Sequence, residues 1–248
     1  VFSARTDNNN LWNPYTQSMP RKQLDELHLR KIQLLVKYAY DHTSFYCRLY
    51  DQAGIKPEDI KSWDDFYHKV PLTDKPDYVQ DQRDKPIAVA ALPKEYYFQQ
   101  FQTTGTTGVA LREAFSLFDA VRMGEEYIFG AWGSGMRAGD SVYFCFNWGM
   151  WVGLWGFYWS ARRMGCSVLS GGGMSTQERI KHILAVKPSA VIGTPTYLLH
   201  MTHVAKEMGI DLAEAGVKFL VGGGEPGLSI PATRKAIREA WGGAMAID

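Results

Sequence analysis

The sequence predicts an α/β protein, built from mostly parallel sheets flanked by helices and preceded by a helical N-terminal region. Beyond Tyr96, short β-rich runs alternate with helical segments, the pattern of strands joined by crossover helices. Glycine-rich stretches follow several of those runs, where the loops of such a sheet converge. At 248 residues, with 46% hydrophobic and 21% charged content, the chain can bury a sizeable core.

Residues 1–95 are expected to form the helical region and residues 96–248 the α/β core. The first ten residues are polar and expected to fray. From 22 to 42, Leu24, Leu27, Ile32, Leu35 and Ala39 recur at helical spacing, and Thr43-Ser44 is expected to end that helix. Residues 54–57 make a turn. Ser62-Trp63-Asp64-Asp65 reads as a capped helix start, and residues 70–76 break the chain again. Strands are predicted at 142–146, 166–169, 190–192, 218–221 and 244–247. Between them lie helices at 153–164, after Ser175 with Glu178 completing a capping box, at 196–208, and after Ser229 with Pro231 in the first turn.

A formal net charge of +1 leaves no electrostatic footprint for nucleic acid or an anionic membrane surface. Residues 141–161 carry no charge and are long enough to span a bilayer, but Asn147, three glycines and four tryptophans are spread through them. Two buried elements joined by a loop explain that stretch better than a membrane helix. Cys47, Cys145 and Cys166 are odd in number and far apart, which disfavours a disulfide framework and predicts a reducing cytoplasm. His200 and His203 share a helix face but lack a third ligand nearby, so no metal site is assigned. No Gly-x-Ser-x-Gly elbow supports hydrolase chemistry. The chain begins at Val1 and stops at Asp248 directly after a strand-like run, which reads as a piece of a longer polypeptide.

Gln102-Thr103-Thr104-Gly105-Thr106-Thr107-Gly108 is the most informative segment. Glycines let backbone N–H groups approach an anion, and threonine hydroxyls add neutral donors, so the loop suits phosphate oxygens and points to ATP. A Thr/Gly hairpin turn is the competing explanation. Gly222-Gly223-Gly224-Glu225-Pro226 offers a side-chain-free surface for a flat base, or simply a strand-to-helix turn in which Glu225 satisfies helix-start N–H groups. Trp148, Trp151, Trp155 and Trp159 fall near helical spacing, as a core stripe does. Trp148 and Trp151, nearest the strand end, are the pair that could form an aromatic slot; Trp155 and Trp159 are assigned to the core.

In order and spacing, Thr103 to Gly108, Ile192-Gly193-Thr194-Pro195-Thr196-Tyr197 and Gly222 to Pro226 resemble the adenylate-forming superfamily, specifically its phenylacetate–CoA ligase branch. Trp12-Asn13-Pro14, Met19-Pro20-Arg21, Gly54-Ile55-Lys56-Pro57 and Val70-Pro71-Leu72-Thr73-Asp74-Lys75 extend the resemblance over nearly the whole chain. It implies the N-terminal domain of an enzyme that activates a carboxylate with ATP and Mg²⁺ and passes the acyl group to coenzyme A. By that resemblance, Thr103, Thr104, Gly105, Thr106, Thr107 and Gly108 hold phosphates. Gly222, Gly223, Gly224, Glu225, Pro226 and Asp248 line the nucleotide, and Trp148, Trp151, Gly153, Gly193, Thr194 and Pro195 line a small, aromatic acid. No catalytic residue is assigned, and a homodimer is compatible with the resemblance. The family's loop usually continues Gly-Lys-Pro, whereas Val109-Ala110-Leu111-Arg112 follows here; Arg112 either reaches back to a phosphate or points to solvent. The family's Tyr-Gly-x-x-Glu segment and C-terminal domain with its lysine fall beyond Asp248. A non-catalytic nucleotide-binding relative, or an adenylating enzyme with another acceptor, are the alternatives.

Overall fold

The computed structural model describes residues 9–105 and 108–248. Two compact units form: Asn13–Asp119 with Met150–Val152, and Ala120–Gly149 with Gly153–Asp248 and residues 9–12.

The first unit holds α1 (Pro14–Gln17), α2 (Arg21–His42), α3 (Ser44–Gln52), α4 (Trp63–Lys69), α5 (Lys75–Gln82) and the antiparallel hairpin β1 (Gln99–Gln102) and β2 (Arg112–Phe115). The hairpin, expected from sequence with the α/β core, thus packs with the helices. Thr43 ends α2, as expected. Its hydroxyl accepts from the Tyr46 N–H and caps α3 directly after α2. Ser62 caps α4 as predicted, and Asp74 forms a capping box with Asp77, so the expected break leads into α5. Val36, Tyr50, Ile55 and Ile60 make the local core. Leu35, expected on the packed face of α2, is 59% exposed, because Val36 takes the inward position.

One buried carboxylate braces this unit. Asp81 receives Arg48 at 3.1 Å, Lys85 at 2.8 Å and the Val89 N–H at 3.0 Å. Burial alone would raise its pKa, but the Lys85 ammonium, the Val89 N–H and the Arg48 guanidinium outweigh burial and hold it below the usual aspartate value.

The second unit is a three-layer sandwich. After α6 (Leu117–Gly133) come β3 (Ser141–Phe144), α7 (Val152–Met164), β4 (Ser167–Ser170), α8 (Thr176–Val186), β5 (Ala190–Gly193), α9 (Pro195–Glu207), β6 (Phe219–Gly222), α10 (Pro231–Ala240) and β7 (Met245–Ile247). All five strands are parallel in the order β4-β3-β5-β6-β7. Strand alternation sends Val142, Phe144, Ile192 and Val221 to one face, against Ile128 and Trp132 of α6 and Leu154 and Met164 of α7. Tyr143, Cys145, Val191 and Leu220 go to the other, against α8, α9 and α10. Each fully buried aliphatic or aromatic side chain contributes about 1.5–3 kcal/mol.

The five predicted strands appear within a residue or two of their expected bounds. The Ser175–Glu178 capping box forms, with Ser175 accepting from the Glu178 N–H. Ser229 is not the cap of α10; Ile230 occupies that position without a side-chain bond, and Pro231 opens the helix. Among the described residues, no helix is long and apolar enough to cross a membrane.

Candidate nucleotide and acid site

In a sheet of order β4-β3-β5-β6-β7 the chain leaves β3 for one edge and returns beside it as β5, so the topological switch lies between β3 and β5. Ligands of open α/β sheets sit outside the carboxyl ends of the strands at such a switch. Asn147 and Trp148 follow β3, Gly171 to Gly173 follow β4, Thr194 follows β5, Gly223 to Glu225 follow β6, and Asp248 follows β7. The sequence-predicted residues of the α/β unit therefore share one edge of the sheet.

The triple glycine is built for close approach as much as for turning. A Cβ on Gly222 would come within 2.8 Å of Leu228, and one on Gly223 within 3.0 Å of the Phe157 ring. Gly224 has φ +92°, a conformation side chains disfavour. A Cβ on Gly227 would overlap Pro195, so the turn after β6 is seated against the start of α9. Glu225 Oε1 accepts both the N–H (2.7 Å) and the hydroxyl of Thr196 in the first turn of α9. The hydroxyl and the N–H of Thr196 together lower the Glu225 pKa. Glu225 thus acts as a helix-start carboxylate at the rim.

Behind this turn lies a cavity of about 560 Å³, whose lining includes Tyr127, Phe144, Phe157, Met164, Val221, Gly222 to Glu225 and Asp248. Its volume suits a small-molecule site. Trp148, Trp151, Gly153, Gly193, Thr194 and Pro195 do not line it. Composition could not reveal this cavity, because it forms from side chains of two helices and four strands.

Trp148 is half-buried and rigidly held. It stacks on Phe144 at 5.4 Å with a 29° interplanar angle, packs beside Trp155, and donates Nε1–H to Ser170 Oγ at 2.5 Å. Trp151 belongs to the helical unit and is 38% exposed, so the two tryptophans expected to act together fall in different units. Trp155 and Trp159 are half-buried rather than deep core. Gly193 and Pro195 are buried, and Thr194 caps α9 by accepting from the Tyr197 N–H.

In the helical unit, the hydroxyl-rich loop joins β1 to β2. Thr103 extends the ladder: its N–H donates to the Leu111 carbonyl at 2.9 Å, and its hydroxyl accepts from the Leu111 N–H at 3.0 Å. Thr104 is exposed, Gly105 has φ +68°, and the Gly108 N–H closes on the Gly105 carbonyl. Thr106 and Thr107 lie outside the described residues. Arg112 donates from Nε to the Pro86 carbonyl at 2.6 Å and from Nη2 to the Lys85 carbonyl at 3.3 Å, which settles its direction toward that backbone.

The sequence reading passed over Arg179. This α8 residue is 7% exposed and donates to the Gly171 carbonyl (2.8 Å), the Tyr197 hydroxyl (2.7 Å) and Asn147 Oδ1 (3.2 Å). An arginine one turn into a helix that follows a glycine-rich strand end was the available signal.

Comparison with models of protein families gives no match. The chain is 30% identical over 227 residues to a phenylacetate–coenzyme A ligase of Aromatoleum evansii, covering 91% of this chain and 50% of that protein. To the Thermus thermophilus enzyme of the same name it is 26% identical, covering 94% of this chain and 51% of that one. The chain thus spans about half the length of the curated relatives it matches. Among solved structures, a 2-hydroxyisobutyryl-CoA ligase in complex with its acyl-AMP and CoA superposes with a TM-score of 0.93 at 29% identity, covering 98% of this chain and 52% of that one. Fold and sequence together group this chain with the phenylacetate–CoA ligase-like branch of the adenylate-forming enzymes.

Proposed function

We propose that this protein takes part in ATP-dependent activation of a carboxylic acid followed by thioester formation with coenzyme A. In the first step a carboxylate oxygen attacks the α-phosphorus and pyrophosphate leaves. In the second the coenzyme A sulfur attacks the acyl carbon and AMP leaves. The observation that carries this reading is the turn Gly222 to Glu225, which meets an apolar cavity of about 560 Å³ at the carboxyl edge of the sheet, in a fold shared with acyl-AMP-forming relatives. Glycine backbone accommodates the flat base, and the apolar lining accommodates the acid's tail. The Thr103 to Gly108 loop supplies hydroxyl donors to the β- and γ-phosphates, the N–H groups of Thr103 and Gly108 being already taken by the Leu111 and Gly105 carbonyls, and positioning and charge stabilisation dominate the rate.

Mg²⁺ would neutralise phosphate charge. Among the described residues no three His, Cys, Asp or Glu side chains cluster, which fits a cation carried mainly by nucleotide oxygens rather than by a protein cage. Trp148, immobilised at the same strand-end edge but outside that cavity, offers a flat ring to a planar aryl acid. Three free cysteines, two of them buried, suit the cytoplasm.

The test is incubation of the intact protein with a panel of aryl acids, ATP-Mg²⁺ and coenzyme A. AMP, pyrophosphate and thioester are expected in equal amounts; no AMP with any acid contradicts the reading. One finding favours a second reading, nucleotide binding without turnover. No lysine follows Gly108, and Arg112 is committed to the Lys85 and Pro86 carbonyls rather than to the loop. Calorimetry with ATP separates the two, since tight binding with no AMP release would select the second.

A further inference from the structure

A guanidinium is costly to bury unless a carboxylate neutralises it. Arg179 is 7% exposed, yet among the described residues no carboxylate lies within 4.0 Å of it, and each of its three acceptors is neutral. The groups that feel its charge cannot supply a negative one. Burial pushes Tyr143 and Cys145 up to about 12, so both remain protonated at neutral pH.

The placement of those acceptors is informative. Asn147 follows β3, Gly171 follows β4 and Tyr197 lies just after β5, so one side chain ties three strand-end loops at the topological switch. Asn147 Oδ1 also receives the Gly173 N–H at 2.9 Å, and the guanidinium lies 5.2 Å from the centre of the Tyr197 ring. A stability device would pair the charge or replace it with apolar bulk. An unpaired cation fixed at the switch is instead suited to an incoming oxyanion.

We propose that Arg179 is a positioning residue that holds the three loops and, through its uncompensated charge, selects an oxyanion at the β3–β5 switch. The oxyanion is the acid's carboxylate or the nucleotide's α-phosphate. This inference rests on the acid-activation reading and adds to it a specific electrostatic determinant.

Two variants of the intact protein test it. R179Q removes the charge. N147D keeps Arg179 but supplies a carboxylate at its Nη2 contact, neutralising the site from within while still accepting the Gly173 N–H. Calorimetry with AMP against adenosine, and with phenylacetate against phenylacetamide, separates charge from shape and tells the two oxyanion sources apart. In N147D, which keeps the loop contacts, the affinity for AMP or for phenylacetate should fall at least about tenfold while the neutral partner is unaffected; in R179Q, which also releases the loops, the charged ligand should lose at least about tenfold more than its neutral partner, and R179K should restore most of that difference. Equal losses for charged and neutral ligands, or no loss in N147D, overturn the proposal. If R179Q does not fold, N147D alone decides. A wild-type protein that binds none of the four contradicts the acid-activation reading itself and takes the inference with it; normal wild-type binding with unaltered variants overturns only the role of Arg179.

Discussion

Among the described residues, the two units bury one charge each to the same depth and treat it in opposite ways. Asp81 in the helical unit and Arg179 in the α/β unit are both 7% exposed. Asp81 meets two cations and a backbone N–H, whereas Arg179 meets a carbonyl, an amide oxygen and a phenol. A fully compensated buried charge braces a fold, and removing it exposes its partners' unmet charge. An uncompensated one contributes less to stability and remains available to a ligand. The helical unit therefore uses its buried charge as a brace, and the α/β unit keeps its own at the edge where the strand-end loops converge.

The largest expected effect is at Asp81. D81N should lower unfolding free energy by about 2 kcal/mol at neutral pH, measured by urea denaturation. R179Q should lower it by less than about 1 kcal/mol, since the desolvation it relieves offsets the hydrogen bonds it loses. Comparable losses would erase the contrast. The pH dependence follows from the sign of the Asp81 shift. Its pKa is lower in the folded state, so its contribution is complete above the unfolded aspartate value and is lost as pH falls through the folded one. Wild type should lose stability over that acid range more steeply than D81N.

A smaller effect belongs to the rim. E225A removes the acceptor for the Thr196 N–H and should cost about 1 kcal/mol, a typical helix-cap value. The Glu225 pKa is also lowered in the folded state, so this contribution too fades on acidification. A variant as stable as wild type at neutral pH would remove Glu225 from the architecture of the turn. The smallest effect is expected at Arg112, whose guanidinium is already occupied by carbonyls. R112M should leave the KM for ATP within about twofold while slightly lowering stability. A tenfold rise in that KM would place Arg112 on the nucleotide instead.

Features written into local spacing were legible in the sequence. Short β-rich runs gave the five strands, and Ser175 with Glu178 gave a helix start, because period and capping depend on neighbours in the chain. Periodicity could not choose between Leu35 and Val36, which sit one residue apart on the same turn. Ser229 had the right chemistry for a cap, but the backbone placed Ile230 there. The glycine turn was readable as a motif, whereas its reasons were not: Phe157 and Pro195 press on it from elements far apart in sequence, and Leu228 folds back on it from its own loop. Arg179 and the cavity share that character. Both arise where side chains from several strands and helices meet.

Acid-dependent exchange of labelled pyrophosphate into ATP by the intact protein tests the central claim most directly, since it reports acyl adenylate formation without requiring coenzyme A. The account predicts exchange that appears only when a suitable carboxylic acid is supplied, and that weakens in N147D. Absence of exchange across aryl and small hydroxy acids, in a protein that is folded and binds ATP, would contradict it.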